Sequence, residues 1–186
     1  HCTSNFEKIK LNKNFKNNKI FVARDLIESY FDNIKLKCLN LIKKKFQKKI
    51  SKKQKLKVVF YSTINKKKNL KFAISIIKDL KREVDFDIYG NTYDNKYLLE
   101  CLEEVKEFKP NINCNYYGKV EKKEIYKILS NYDVFLFPTL AENFGYVVLE
   151  AFMSGCFILI SKNTTPWSFL KKYDLLLEYE FNERKK

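Results

Sequence analysis

Residues 133–156 read Asp-Val-Phe-Leu-Phe-Pro-Thr-Leu-Ala-Glu-Asn-Phe-Gly-Tyr-Val-Val-Leu-Glu-Ala-Phe-Met-Ser-Gly-Cys. Val134 to Phe137 is a continuous apolar run of strand type, and Pro138, which has no N–H to offer a ladder, closes it. A polar loop follows, the chain enters a helix near Phe144, and Gly155 marks the helix end. In an open parallel sheet such a loop lies beyond the carboxyl end of a strand, where ligands bind. The free amides of Asn143, Phe144, Gly145 and Tyr146, together with the helix dipole, predict an anion site suited to a diphosphate. Glycine at 145 lets an anion approach the backbone closely. Glu142 stands just before the helix and Glu150 about two turns inside it, so both can face one ligand from different depths. Solvated helices produce that spacing constantly. Glu150, however, has Val147, Val148, Leu149, Ala151 and Phe152 around it, where a carboxylate without a partner is expensive.

Outward from this unit the pattern repeats. Val58 to Tyr61, Phe86 to Tyr89, Ile112 to Tyr117 and Phe157 to Ile160 read as further strands, continuous in polarity as strands buried on both faces should be. Between them, three sets keep helical spacing: Leu70, Ala73, Ile74, Ile77 and Leu80; Leu98, Cys101, Leu102, Val105 and Phe108; Ile125, Ile128, Leu129 and Tyr132. Gly90 and Gly118 follow strands. The alternation predicts an α/β fold, a Rossmann-like parallel sheet flanked by helices. The first fifty residues offer one strand, Lys19 to Ala23, and one long amphipathic helix through Ile27, Tyr30, Phe31, Ile34, Cys38, Leu41 and Ile42. They cannot close a core alone. The expected organisation is therefore a remnant of another domain at 1–23, a linker helix and basic linker at 24–55, and the complete domain at 56–186.

The net charge of +15 raises the question of nucleic acid. Only Arg24, Arg82 and Arg184 are arginines, so the guanidinium forks that read bases are scarce. A solvated lysine-rich exterior, or contact with an anionic membrane surface, suits the excess better. Five scattered cysteines without a CxxC pair, and a single histidine, indicate neither zinc nor a disulfide framework. Nothing reads as a signal peptide or a bilayer-spanning run, so the chain is expected in the cytoplasm, at most against the inner face of the membrane.

The words FLFPTLAENFGYVVLEAFMSGCFILIS resemble the E-x7-E signature and flanks of the retaining glycosyltransferases of family 4, formerly group 1, which have the GT-B fold of two Rossmann-like halves. The resemblance continues through NINCNYYGKVEKKEIYKILSNYDVFLFPT and VVFYSTINKKKNLKFAISII, covering roughly residues 56–167, the C-terminal, donor-binding half. HCTSNFEKIKLNKNFKNNKIFVARDLI is loosely similar to the last strand and linker of the acceptor-binding half, most of which this stretch would then lack.

The resemblance implies transfer of a sugar from a UDP-, GDP- or ADP-sugar donor to a saccharide or lipid-linked acceptor with retention, in cell-surface polysaccharide or glycolipid synthesis. It implies a hexosyltransferase type of enzyme that needs neither metal nor other cofactor, with no nucleic acid as partner and no transfer by this stretch alone. Glu142 becomes the catalytic glutamate at the transferred sugar, and Glu150 the one that holds the ribose hydroxyls. Lys68 matches the phosphate-binding lysine, and Gly118 to Val120 the turn against the base. By its residues alone Lys68 is one more surface lysine, and Val120 reads equally as core. The family's usual arginine five residues before that lysine is Thr63 here. A charge-assisted bond to phosphate contributes roughly 1.5–3 kcal/mol, so its loss weakens the donor site by about one to two decades unless Lys66 or Lys67 substitutes. Thr165-Pro166-Trp167 resembles the end of a further family loop, with Trp167 expected to pack. The competing reading is a non-catalytic basic module that binds nucleotides or nucleic acid.

Overall fold

The computed structural model describes Lys8, residues 37–45, Gln47, residues 54–162 and 164–167, Leu170, and the backbone of Leu176–Tyr179. Among these residues six strands form one sheet in the order β3-β2-β1-β4-β5-β6, every neighbouring pair parallel. The strands are β1 (Leu56–Tyr61), β2 (Val84–Tyr89), β3 (Ile112–Gly118), β4 (Val134–Phe137), β5 (Phe157–Ser161) and β6 (Leu176–Tyr179). The helices are α1 (Leu70–Lys78), α2 (Asn95–Val105), α3 (Ile125–Leu129) and α4 (Tyr146–Met153), with 3-10 turns at Lys66–Lys68 and Lys122–Glu124. The five expected strands and the α/β class are present. The sixth strand was not read from the sequence, and the expected strand Lys19 to Ala23 lies outside the described residues.

Period-two alternation divides the core. On one face Val58, Phe60, Phe86, Ile88 and Leu136 pack under α1 and α2, which contribute Leu70, Ala73, Ile74, Ile77 and Cys101. On the other, Val59, Phe135, Phe137, Ile158 and Ile160 pack under α3 and α4. Two expectations need correction. β2 (VDFDIY) alternates buried and half-buried positions and Asn113 on β3 is exposed, so the sheet is sealed on both faces only at β4 and the middle of β1. The reason is local. Asp87 is held by Tyr132 Oη at 2.8 Å and Asn115 Nδ2 at 3.0 Å, a polar ladder that one solvated face allows. In α2 the buried centre is Tyr97 and Cys101, with Leu98, Val105 and Phe108 at its margin.

Of the long helix expected before residue 43, only residues 37–45 are described, and they are helical. Cys38 and Ile42 are buried in the α3–α4 cluster, whereas Leu41, expected on the same face, is 44% exposed. The Lys45 ammonium has three N–H donors and meets three carbonyls: Ser130 at 2.8 Å, Tyr132 at 3.2 Å and Ser154 at 3.4 Å. These end α3 and α4, where helices present unpaired oxygens and a cation is favoured. Lys45→Met keeps the aliphatic stem and removes the donors. It is expected to cost about 1–2 kcal/mol, read in thermal unfolding as a fall of about 2–8 °C.

The cysteines among the described residues are structural. Cys101 and Cys156 are fully buried, and burial pushes Cys101 up to about 11 and Cys114 and Cys156 to about 12, far from a reactive thiolate.

Candidate functional site

The carboxyl ends of β1, β2, β3 and β4 open on one cleft of about 610 Å³. All eight site residues expected from the sequence line it: Lys68, Val120, Glu142, Asn143, Phe144, Gly145, Tyr146 and Glu150. Thr63 lines it too, while Lys66 and Lys67 do not. The cations at this wall are Lys68 and Lys119, the latter read from the sequence as part of the turn against the base and not as a charge, while Lys66 and Lys67, the conditional substitutes for the absent arginine, do not line the cleft. Tyr61, Ser62, Gly90 and Asn91 were also missed, although each closes or directly follows a strand.

Each functional side chain has a local reason for its place. Asn65 caps the 3-10 turn, its Oδ1 accepting from Lys68 N at 3.1 Å, and Asn69 takes a left-handed conformation (φ 59°) to start α1. This kink aims Lys68 over the strand ends. Its ammonium lies 5.3 Å from the Phe137 ring centroid and pairs with the Glu142 carboxylate, both side chains mostly sheltered from water. The other Glu142 oxygen accepts from Asn143 N at 3.1 Å. The acid before α4 therefore sits on the cation and a backbone amide that an anion would use.

The loop from β4 to α4 is tied down on two sides. Leu140 N donates to Lys67 O at 2.8 Å and the buried Thr139 hydroxyl lies 3.2 Å from the same oxygen. Glu142 N donates to Thr164 O at 2.9 Å, and Trp167 Nε1 donates to Phe144 O at 2.6 Å. Trp167 is 3% exposed and packs as expected, edge-on to Phe144 with ring centroids 5.0 Å apart; its hydrogen bond was not anticipated. Gly145 (φ 76°, ψ 61°) is the N-cap of α4, so the helix begins two residues later than read and Glu150 stands little more than one turn inside.

Glu150 is half-buried. Burial raises its carboxyl above the ordinary carboxylate range, and the Lys122 charge offsets part of that rise. Burial also raises the Tyr61 phenol, and the Glu150 charge adds to it. Val120 is both core and cleft: it packs against the α3–α4 cluster while lining the opening. The arrangement offers a cation, an acid before a helix N-terminus, a second acid one turn in, and glycine-backed strand ends. Such a set can hold a polyanion joined to a polyhydroxy group.

The family profile described as "Glycosyl transferases group 1" matches residues 42–180. The chain belongs to the group 1 glycosyl transferases. An uncharacterised 41.2 kDa protein in the cps region of Klebsiella pneumoniae is 31% identical over 105 residues, which is 55% of this chain and 26% of that protein. Among solved structures, this family member resembles WaaG, a glycosyltransferase involved in lipopolysaccharide biosynthesis, with a TM-score of 0.55 and 15% identity over 75% of this chain and 37% of that one. Anabaena HepE, in complex with UDP and glucose, gives 0.53 and 16% over 67% and 36%. The pneumococcal O-GlcNAc transferase GtfA, in complex with UDP and GlcNAc, gives 0.51 and 22% over 69% and 25%. The chain thus has the Rossmann-like fold of one GT-B half and spans about a quarter of the length of the curated relative.

Proposed function

We propose that this chain is the donor-binding half of a retaining glycosyltransferase that takes its sugar from a nucleoside diphosphate and delivers it to an acceptor hydroxyl. The observation that carries this reading is the meeting of Lys68, Glu142, Glu150 and the α4 N-terminus on one cleft. The diphosphate lies against the α4 amides and Lys68, Glu150 takes the ribose hydroxyls, Glu142 the sugar, and the Gly118–Val120 turn the base. As the anomeric carbon–phosphate oxygen bond breaks, charge grows on the diphosphate, and the ammonium with the helix end stabilises it without a metal. The acceptor oxygen takes its place on the same face of the sugar, and its proton passes to the departing diphosphate.

UDP is the first candidate donor nucleotide, since HepE and GtfA were each solved with it. A role in cell-surface polysaccharide or lipopolysaccharide synthesis is supported by the cps-region relative and by WaaG. In that role the lysine excess contacts an anionic lipid surface from the cytoplasm.

Calorimetric titration with UDP, GDP and ADP tests the reading. At least one should bind, and Lys68→Ala should weaken it about 10- to 100-fold, the equivalent of one charged hydrogen bond. Raising salt from 50 to 200 mM should weaken this binding far less than the thousandfold or more typical of a nucleic-acid interface with many phosphate contacts. Binding of none of the three nucleotides, or a steep salt dependence with single-stranded RNA as the tighter ligand, overturns it.

A further inference from the structure

We infer that Trp167 is a positioning residue for the anion site: its indole N–H locks the Phe144–Gly145 peptide so that the Gly145 N–H faces the cleft. The inference rests on the donor reading above and adds to it the group that sets the amide geometry.

The argument begins with the peptide plane. In a trans peptide the carbonyl and the N–H of one unit point in opposite directions, and no described peptide is cis. The Phe144 oxygen is taken by Trp167 Nε1 at 2.6 Å on the buried side, where the indole is 3% exposed. The Gly145 N–H, the other end of the same plane, is therefore directed away from Trp167, toward the cleft that Gly145 lines. Among the described residues no acceptor meets that N–H.

A lock is needed because this plane is easy to turn over. A flip rotates ψ of Phe144 and φ of Gly145, and glycine accepts either sign of φ at little cost. The reversed plane would aim a carbonyl dipole at a phosphate. Phe144 O held from below disfavours that state.

Trp167 is itself fixed. Its backbone N donates to Thr165 Oγ1 at 3.3 Å, and Thr164 O receives Glu142 N at 2.9 Å. The segment after β5 thus grips the β4–α4 loop on both sides of Asn143. A residue that only filled space would not need its one polar atom placed on this carbonyl.

The chain has a single tryptophan, so the test can be made by biosynthetic replacement. Benzothienylalanine puts sulfur where the indole N–H was and keeps the ring shape. Inorganic pyrophosphate and UDP are titrated by calorimetry, and uridine, which lacks phosphate, by NMR shift perturbation. The substituted chain should bind pyrophosphate and UDP about tenfold more weakly, the effect of one misdirected amide dipole. Uridine binding should stay unchanged, while the unfolding temperature falls by only the few degrees expected for one lost hydrogen bond. Trp167→Phe, which also lacks the donor, should match it in binding even where its smaller ring lowers stability.

Pyrophosphate binding as tight as in the unsubstituted chain overturns the lock and leaves the donor reading intact. An equal loss for uridine overturns it too, since that is the mark of a general structural role. If the unsubstituted chain binds none of UDP, GDP and ADP, the donor reading fails, and the pyrophosphate comparison still decides the lock. No pyrophosphate binding by the unsubstituted chain also overturns it.

Discussion

Replacing Gly90 with alanine is expected to leave little folded chain. Gly90 follows β2 with φ +142°, a conformation that side chains disfavour, and a Cβ there would lie 1.7 Å from the carbonyl oxygen of Ser62 and 2.8 Å from its carbon. Both atoms are backbone, so no rotamer change relieves the overlap. The strand ends are also interlocked: Ser62 N donates to Tyr89 O at 3.2 Å, Ile64 N to Asn91 O at 2.8 Å, and Gly90 N to Gly118 O at 2.7 Å. Moving β1 aside breaks this set at the rim of the cleft. The expected cost is at least about 4 kcal/mol, a large part of the 5–15 kcal/mol that holds a typical domain. Gly118→Ala supplies the control, because Gly118 (φ +71°) has only the Tyr116 hydroxyl near its Cβ position, at 4.0 Å. It should lose about 1–2 kcal/mol, the left-handed penalty alone. Soluble yield and urea unfolding of the two variants decide the matter; equal losses would show that a shift of the strand ends relieves the collision with Ser62.

That collision also marks where sequence reading stops. Gly90 reads from the sequence as a glycine directly following a strand, which is correct, but what it must avoid depends on how β1 and β2 end in register. Register joins residues 28 apart, and nothing local encodes it. The strand–helix alternation was legible because it is local: Val134 to Phe137 is apolar throughout, and Leu70, Ala73, Ile74 and Ile77 keep their spacing in a helix that buries all four. The cleft was legible for the same reason. Asn143 to Tyr146 and Glu142 lie in one short loop, and the topology of a parallel sheet brings Lys68 and Glu150 to that end.

The failures are of two kinds. The solvated face of β2 was visible in Val-Asp-Phe-Asp-Ile-Tyr and was overridden by the expectation that parallel strands are sealed on both sides. Trp167 on the Phe144 carbonyl and Lys45 on three helix-terminal carbonyls were not visible at all. Each depends on where a side chain reaches across loops far apart in sequence.

Glu142 and Glu150 should fail in opposite directions when each is replaced, because their surroundings differ. In the proposed reading Glu150 accepts from the ribose hydroxyls, an interaction made by bare nucleotide and full donor alike, so Glu150→Ala should weaken UDP and UDP-sugar equally, by about tenfold or more. In that reading Glu142 meets only the sugar, and it pairs with the Lys68 ammonium and the Asn143 amide. Its removal frees a cation and takes a like charge away from the diphosphate. Glu142→Ala should therefore bind bare UDP about threefold more tightly, a gain of the size expected for one partly screened charge. The extra affinity of the sugar nucleotide should disappear. Folding separates the two residues again. Burial raises the folded-state carboxyl of Glu150, so the protonated form is favoured in the fold. Its contribution to stability is fully present below the unfolded value and is lost as pH rises through the raised folded one. At neutral pH the carboxylate is a net burden on the fold, and Glu150→Gln should raise the unfolding temperature while nucleotide affinity falls. As pH falls through that raised folded value the stability gain should shrink, and UDP affinity of the unmodified chain should decline as Glu150 takes its proton. Calorimetry and thermal unfolding from pH 4 to 8 read all of these quantities. A drop in stability on Glu150→Gln at pH 7, or weaker UDP binding on Glu142→Ala, would mean that the two acids hold the loop and helix together rather than a donor.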